Sequence, residues 1–368
     1  MKKAYLLLAA LLLSLAACQG QAPLPAPPLA PTAQSAEVVP SPTQPATATV
    51  TPAPTETETP SPTLSPTATL TATPTATPTP DPYAGLTIED LRNRTYGGGE
   101  LVMVETLATT AAFTRSLITY PSDDLTIYGF MNVPVGEGPF PVAIVLHGYI
   151  DPAIYETLAY TTRYADVLAR AGYLVIHPNL RNYPPSDSGP NTFRVGMAVD
   201  VLHLLALIRE QAGPLAQADP DAIALMGHSM GGGITWRVLT VDQGVGAAVL
   251  YGSMHPDEME NRNWRLQRGI SARPPLEMDA HEADLARVSP ATYLADIVAP
   301  VSIHHSIHDE TVPYEWSEAL ATRMQELGKP AELFLYRNTP HTFRGEADQL
   351  FMQRMIAFFD AHLRPPTE

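Results

Sequence analysis

A single cysteine, Cys18, stands among 368 residues, so no internal disulfide can form and the fold rests on packing alone. Lysine is almost missing, with only Lys2, Lys3 and Lys329. Lysine and arginine together number 22 against 38 acidic residues, a formal charge of −16, which argues against nucleic acid or anionic lipid as a partner. The apolar run over residues 4–17 is too short to span a bilayer comfortably. Residues 19–82 contain no aromatic side chain, and their only charges are Glu37, Glu56, Glu58 and Asp81. Such a stretch buries too little apolar surface to offset its ordering entropy.

What is present begins with Met1-Lys2-Lys3, a basic start to the apolar run, which ends in small residues and reads as an export signal. Leu15-Ala16-Ala17-Cys18 resembles the lipobox of bacterial lipoproteins, whose cleavage leaves the cysteine first in the mature chain, carrying lipid. That resemblance implies a signal peptide over 1–17, lipidation at Cys18, and attachment to the bacterial membrane on the extracytoplasmic side of the cell envelope through the N-terminal lipid. The other reading is an ordinary signal peptide with an incidental cysteine. Residues 19–82 hold 17 Pro and 16 Thr in 64 positions, so 18–82 is expected to be the lipidated cysteine and a disordered tether. At about 3.1 Å per residue in extended geometry it would reach roughly 200 Å. Residues 83–368 are left for one catalytic-sized domain, with no second folded domain expected.

From Arg115 onward short apolar runs alternate with helical periodicity. Residues 116–120 and 125–133 read as antiparallel strands about the Ser122-Asp123-Asp124 turn. Strands are expected at 142–146, 173–176, 223–226, 246–251, 300–305 and 332–336, and helices at 158–171, 193–211 (long and amphipathic), 234–240, 315–327 and 348–363. The fold class is therefore α/β, a mostly parallel central sheet with helices on both faces. Ligands in such sheets bind outside the carboxyl ends of the strands.

One stretch organises the rest. Gly227-His228-Ser229-Met230-Gly231 joins a strand directly to a helix, the setting of a nucleophile elbow. So tight a turn admits only glycine two positions either side of Ser229. The Met230 amide, first in the following helix, points where an oxyanion would develop. A serine needs a base, and the base a carboxylate, in the chain order Ser, acid, His. Asp309 lies past the strand 300–305, and His341 past the strand 332–336, which fits that order.

With Leu117, Tyr128-Gly129, Phe140-Pro141, Leu146-His147-Gly148, the elbow, Asp309-Glu310-Thr311-Val312-Pro313 and His341-Thr342-Phe343, the chain resembles the prolyl oligopeptidase and dienelactone hydrolase branch of the α/β-hydrolase superfamily over about residues 115–365. The resemblance implies nucleophile Ser229, acid Asp309, base His341, and an oxyanion hole from the amides of Met230 and Tyr149. Two positions depart from it: Ser306 stands where the family usually has glycine, and Tyr149 where many peptidase members continue with glycine and proline. The elbow also resembles that of cutinase-type polyester hydrolases. The implied function is a serine hydrolase acting on a small ester or peptide substrate, without cofactor. The reading of another class is a cell-envelope binding protein that keeps the fold without using it.

Other residues invite functions of their own. His304, His305 and His308 form a possible metal group with Asp309, but alternation along a strand sends His304 and His305 to opposite faces, so structural roles and no metal are expected. His228 is expected to shape or pack the elbow. Asp200 and Asp279 are weaker candidates for the acid, Asp200 because it precedes the nucleophile. Residues 252–292 read either as a lid or as a surface excursion, with Trp264 or Met254 as pocket candidates. Arg181-Asn182-Tyr183 follows a core strand and is a candidate substrate contact. The oligomeric state stays open.

Overall fold

The computed structural model describes residues 80–211, 213–270 and 275–364. The expected signal peptide, Cys18 and all but the end of the tether lie outside the described residues. Among the described residues nine strands form one sheet: β1 (Val102–Thr109), β2 (Phe113–Ser122), β3 (Leu125–Pro134), β4 (Phe140–Leu146), β5 (Leu174–Pro178), β6 (Ala218–His228), β7 (Ala247–Tyr251), β8 (Val301–Ser306) and β9 (Ala331–Tyr336). Their order is β1-β2-β3-β5-β4-β6-β7-β8-β9, antiparallel from β1 to β5 and parallel from β5 to β9. The helices are α1 (Ile88–Arg92), α2 (Thr162–Arg170), α3 (Val195–Glu210), α4 (Met230–Val241), α5 (Glu258–Gln267), α6 (Pro275–Met278), α7 (Glu282–Val288), α8 (Tyr314–Glu326) and α9 (Gly345–Leu363).

Strand periodicity divides the core in two. On β4, Val142, Ile144 and Leu146 join Leu204, Ile234, Leu320 and Met324 of α3, α4 and α8. Ala143 and Val145 point the other way, to Tyr164, Leu168, Phe351 and Met355 of α2 and α9. β6 splits identically, Ile223 and Leu225 against Ala224 and Met226. Side chains that alternate between two apolar layers explain why these strands read as continuous apolar runs. The chain leaves β4 for β5 on one side and returns to β6 on the other, so the order reverses at β4, the position at which such sheets bind ligands outside their strands' carboxyl ends.

Several expectations need correction. β1 has no strand signature in the sequence, because its residues are nearly all exposed, which leaves no alternation to detect. The helix expected from 158 starts at Thr162; Leu158 is exposed, and the side chains of Tyr160 and Thr161 turn inward to His228 and His177. α3 begins at Val195 because Phe193 and Arg194 adopt left-handed backbone angles, φ 52° and 61°. Nor is α3 amphipathic. One side packs on the sheet, while Val195 and Val199 meet a third cluster built with Tyr83, Leu91, Leu285 and Val288.

Candidate active site

β6 ends at His228 and α4 begins at Met230, so the whole reversal falls on Ser229, at φ 54° and ψ −112°. A side chain is rarely held there unless its surroundings over-determine it. They do: Ser229 N–H donates to the Tyr251 carbonyl at 2.9 Å, and its own carbonyl accepts from Gly232, Gly233 and Met254 at 3.0, 3.2 and 3.1 Å. A Cβ on Gly227 would lie 2.4 Å from the Gly231 carbonyl oxygen, and one on Gly231 would lie 2.3 Å from the Leu146 carbonyl oxygen. Close approach, not a left-handed φ, reserves both positions for glycine.

β8 and β9 run parallel in register, His305 opposite Leu335 and Ser306 opposite Tyr336, so the loops beyond them emerge at one sheet edge. Asp309 and His341 meet there, Oδ2 to Nδ1 at 2.6 Å. A proton on Nδ1 leaves the Nε2 lone pair free to act as base. The Asp309 Oδ1 accepts from the amides of Thr311 and Val312, both at 2.8 Å, and Oδ2 also lies 3.0 Å from His305 Nε2. Burial alone would raise this carboxyl, but the bonds from His305 and His341 and the charge on His341 outweigh it and hold the group well below the usual carboxylate range. Glu310 accepts the His341 amide at 3.0 Å, and Ser306 Oγ donates to the Thr339 carbonyl. Ser306 thus ties the loop that carries Asp309 to the loop that carries His341.

The imidazole of His341 rests against the elbow's neighbours. A Cβ on Gly252, which has φ 51°, would sit 3.2 Å from its Cε1 and Nδ1, and Gly252 follows the tyrosine that anchors the Ser229 amide. The ring of His228 lies 4.6 Å from that of His341, centroid to centroid. Ser229 and His341 are only 8 % and 9 % exposed. Among the described residues Ser229 Oγ has no hydrogen-bond partner, and such bonds often tighten only once substrate is bound. Beyond β4, a Cβ on Gly148 would fall 3.1 Å from Ser229 Cβ, which places the loop carrying Tyr149 directly over the serine. The Tyr149 side chain is exposed, whereas Met230 is buried.

Elsewhere the structure redistributes the sequence's candidates. Arg181, a candidate substrate contact, is buried, with Nε and Nη2 donating to Asp200 at 3.0 and 2.8 Å and Nη1 to the Pro190 carbonyl at 3.2 Å. A guanidinium inside the protein needs an anion, and Asp200 on α3 supplies it. This pairing also removes Asp200 from the acid candidates, while Asp279 is exposed. Of the Arg181-Asn182-Tyr183 segment, Tyr183 is the one near the site, its hydroxyl accepting from the Ile150 amide at 3.4 Å. Residues 252–292 carry α5, α6 and α7, fastened by buried Glu258 to Arg194 and Arg237. Trp264 on α5 is partly buried beneath Arg268, at 4.4 Å; Met254 instead lies by the elbow through its amide bond to Ser229. His304 bonds Ser302 and Tyr336, His305 bonds Ser317 and Asp309, and His308 accepts from the Asn338 amide. The hydroxyl of Tyr160, which no motif marks, reaches both Gly148 and His228.

The profile described as the alpha/beta hydrolase fold matches residues 141–340. An uncharacterized peptidase of Bacillus subtilis, YuxL, is 25% identical over 265 residues, covering 67% of this chain and 39% of its own length. The acylaminoacyl peptidase of Pyrococcus horikoshii superposes with a TM-score of 0.54 at 20% identity, over 70% of this chain and 43% of its own. Acetyl xylan esterase 1 of Thermoanaerobacterium sp. superposes at 0.56 and 17% identity, over 74% and 90% respectively. This chain thus spans about two fifths of the length of the two peptidases it matches.

Proposed function

The chain belongs to the α/β-hydrolase family, and from that premise we propose that it is a serine hydrolase cleaving carboxylic ester or peptide bonds through an acyl-enzyme on Ser229. The observation that carries this reading is the Asp309–His341 pair, 2.6 Å apart, at the same sheet edge as a serine held at φ 54°. His341 Nε2 takes the hydroxyl proton as Ser229 Oγ attacks the substrate carbonyl. The negative charge that forms on the carbonyl oxygen is met by the amides of Met230 and Tyr149. Collapse expels the leaving group with the proton from His341, and water, deprotonated by the same imidazole, releases the acid. Asp309, fixed by two amides and His305, steadies the charged imidazole throughout.

The likeness to peptidases and to an esterase supports both bond types. The basic start, apolar run and Leu15-Ala16-Ala17-Cys18 support an exported enzyme held at the cell envelope by lipid on Cys18. Comparing p-nitrophenyl esters of increasing acyl length with peptidyl anilides, in wild type and Ser229→Ala, tests bond type and nucleophile together. Saturable cleavage of one substrate series, lost in Ser229→Ala, is expected. Equal rates in the two proteins would refute the nucleophile.

A further inference from the structure

Three hydrogen bonds outside the triad join both arms of the site. The Gly148 amide donates to Tyr160 Oη at 3.0 Å, Tyr160 Oη meets His228 Nδ1, and His228 Nε2 lies 3.3 Å from the His341 carbonyl. Their direction is forced. An amide only donates and a carbonyl only accepts, so the tyrosine spends its single proton on Nδ1, and the histidine carries its own on Nε2. Each group in the chain is then satisfied once, with no alternative tautomer. The His228 ring is buried, packed 4.2 Å from Tyr251 and 4.6 Å from His341, while Tyr160 meets it edge-on at 5.4 Å. Burial also keeps the imidazole neutral, far below its ordinary range, as this pattern requires.

We propose that Tyr160 and His228 are positioning residues that set the oxyanion loop and the base loop relative to Ser229. This rests on the serine-hydrolase reading above. Tyr160 holds the His147–Gly148 peptide, the plane next to the one that carries the Tyr149 amide, and so steadies the loop from which that amide projects. His228 holds the backbone of His341 while Asp309 holds its ring. Neither residue touches substrate. Their work is to keep two separate loops in one geometry as charge moves from serine to carbonyl oxygen, when a displacement of about 1 Å is enough to cost up to roughly a hundredfold.

The test uses the full chain with Tyr160→Phe, His228→Phe and the double variant, beside Ser229→Ala. Tyr160→Phe keeps the ring and removes only its hydrogen bonds, whereas His228→Phe removes the bonds and places a larger ring in a buried site. With a p-nitrophenyl ester, kcat in Tyr160→Phe is expected to fall by about tenfold to a hundredfold with KM within about twofold, the mark of a group acting in the transition state. The double variant is expected to fall no further than the worse single one, since both break the same chain. Wild-type kcat in Tyr160→Phe, or a raised KM with kcat unchanged, would overturn the proposal, as would losses that multiply in the double variant. If His228→Phe does not fold, Tyr160→Phe alone decides. Full activity in Ser229→Ala would be a different failure, that of the serine-hydrolase reading itself.

Discussion

Ser229, Asp309 and His341 each follow the end of a strand, and the folded sheet brings those ends to one edge. That is why they stand out in sequence as candidates: they sit one, three and five residues past the ends of their strands. The glycines of the elbow are legible for a related reason, and the structure shows how little space they have. Gly231→Ala would press a methyl to 2.3 Å from the Leu146 carbonyl oxygen, a backbone atom that cannot swing away. We expect that variant to lose activity nearly completely and to unfold at lower denaturant, by a few kcal/mol, roughly the cost of overpacking a core. Asp309→Asn, which cannot hold the imidazole in the required tautomer, is expected to lower kcat by about 10⁴-fold with the fold intact by circular dichroism. The carboxyl of Asp309 is also depressed in the folded state, so its contribution to stability is present at pH values above the unfolded carboxyl's pKa of about 3.9. It is lost as the pH falls from there through the folded value. Titration of unfolding between neutral pH and acid is therefore expected to show Asp309→Asn losing less stability on acidification than wild type. Tyr160, by contrast, carries no signature. It lies in an irregular segment ahead of α2, and its importance depends on Gly148 and His228, which only the fold brings to it.

At the scale of elements, the parallel strands were readable because both their faces are apolar, whereas β1 exposes nearly every residue and so lacks a period. α3 misleads for the opposite reason: buried on the sheet side and again against α1 and α7, it has no polar face to define an amphipathic pattern. The stretch over 252–292 was ambiguous between lid and fixed excursion, since its charges suggest a surface. Some of those charges are inside. Glu258 is 3 % exposed and bonds Arg194 and Arg237, both buried. Removing this anion leaves two buried cations with Glu277 as their remaining nearby anion, so Glu258→Gln is expected to destabilise the protein by about 3–5 kcal/mol in chemical denaturation. Activity per folded molecule should change little, because these groups hold α5 and α4 together, away from the triad. A large fall in kcat at unchanged stability would show instead that α5 serves the chemistry.

For the molecule as a whole, the alpha/beta hydrolase profile covers residues 141–340. The site lies where the strand order reverses at β4, as the chemistry of open parallel sheets anticipates. At the other end of the chain, Cys18 is the sole thiol and the expected point of lipid attachment. Cys18→Ala, produced in a bacterial host that processes lipoproteins, is expected to move most of the protein from the membrane fraction to the soluble one and to abolish labelling by a radioactive fatty acid. Unchanged membrane association would favour another means of attachment. The central claim is that an alcohol at position 229 is the nucleophile, and it is tested most directly by mass spectrometry after treatment with a fluorophosphonate. A single adduct on the peptide bearing Ser229, absent from Ser229→Ala together with at least about a 10⁴-fold loss of ester hydrolysis, is the predicted result. An unlabelled Ser229 in folded wild-type protein that still hydrolyses its ester would contradict it.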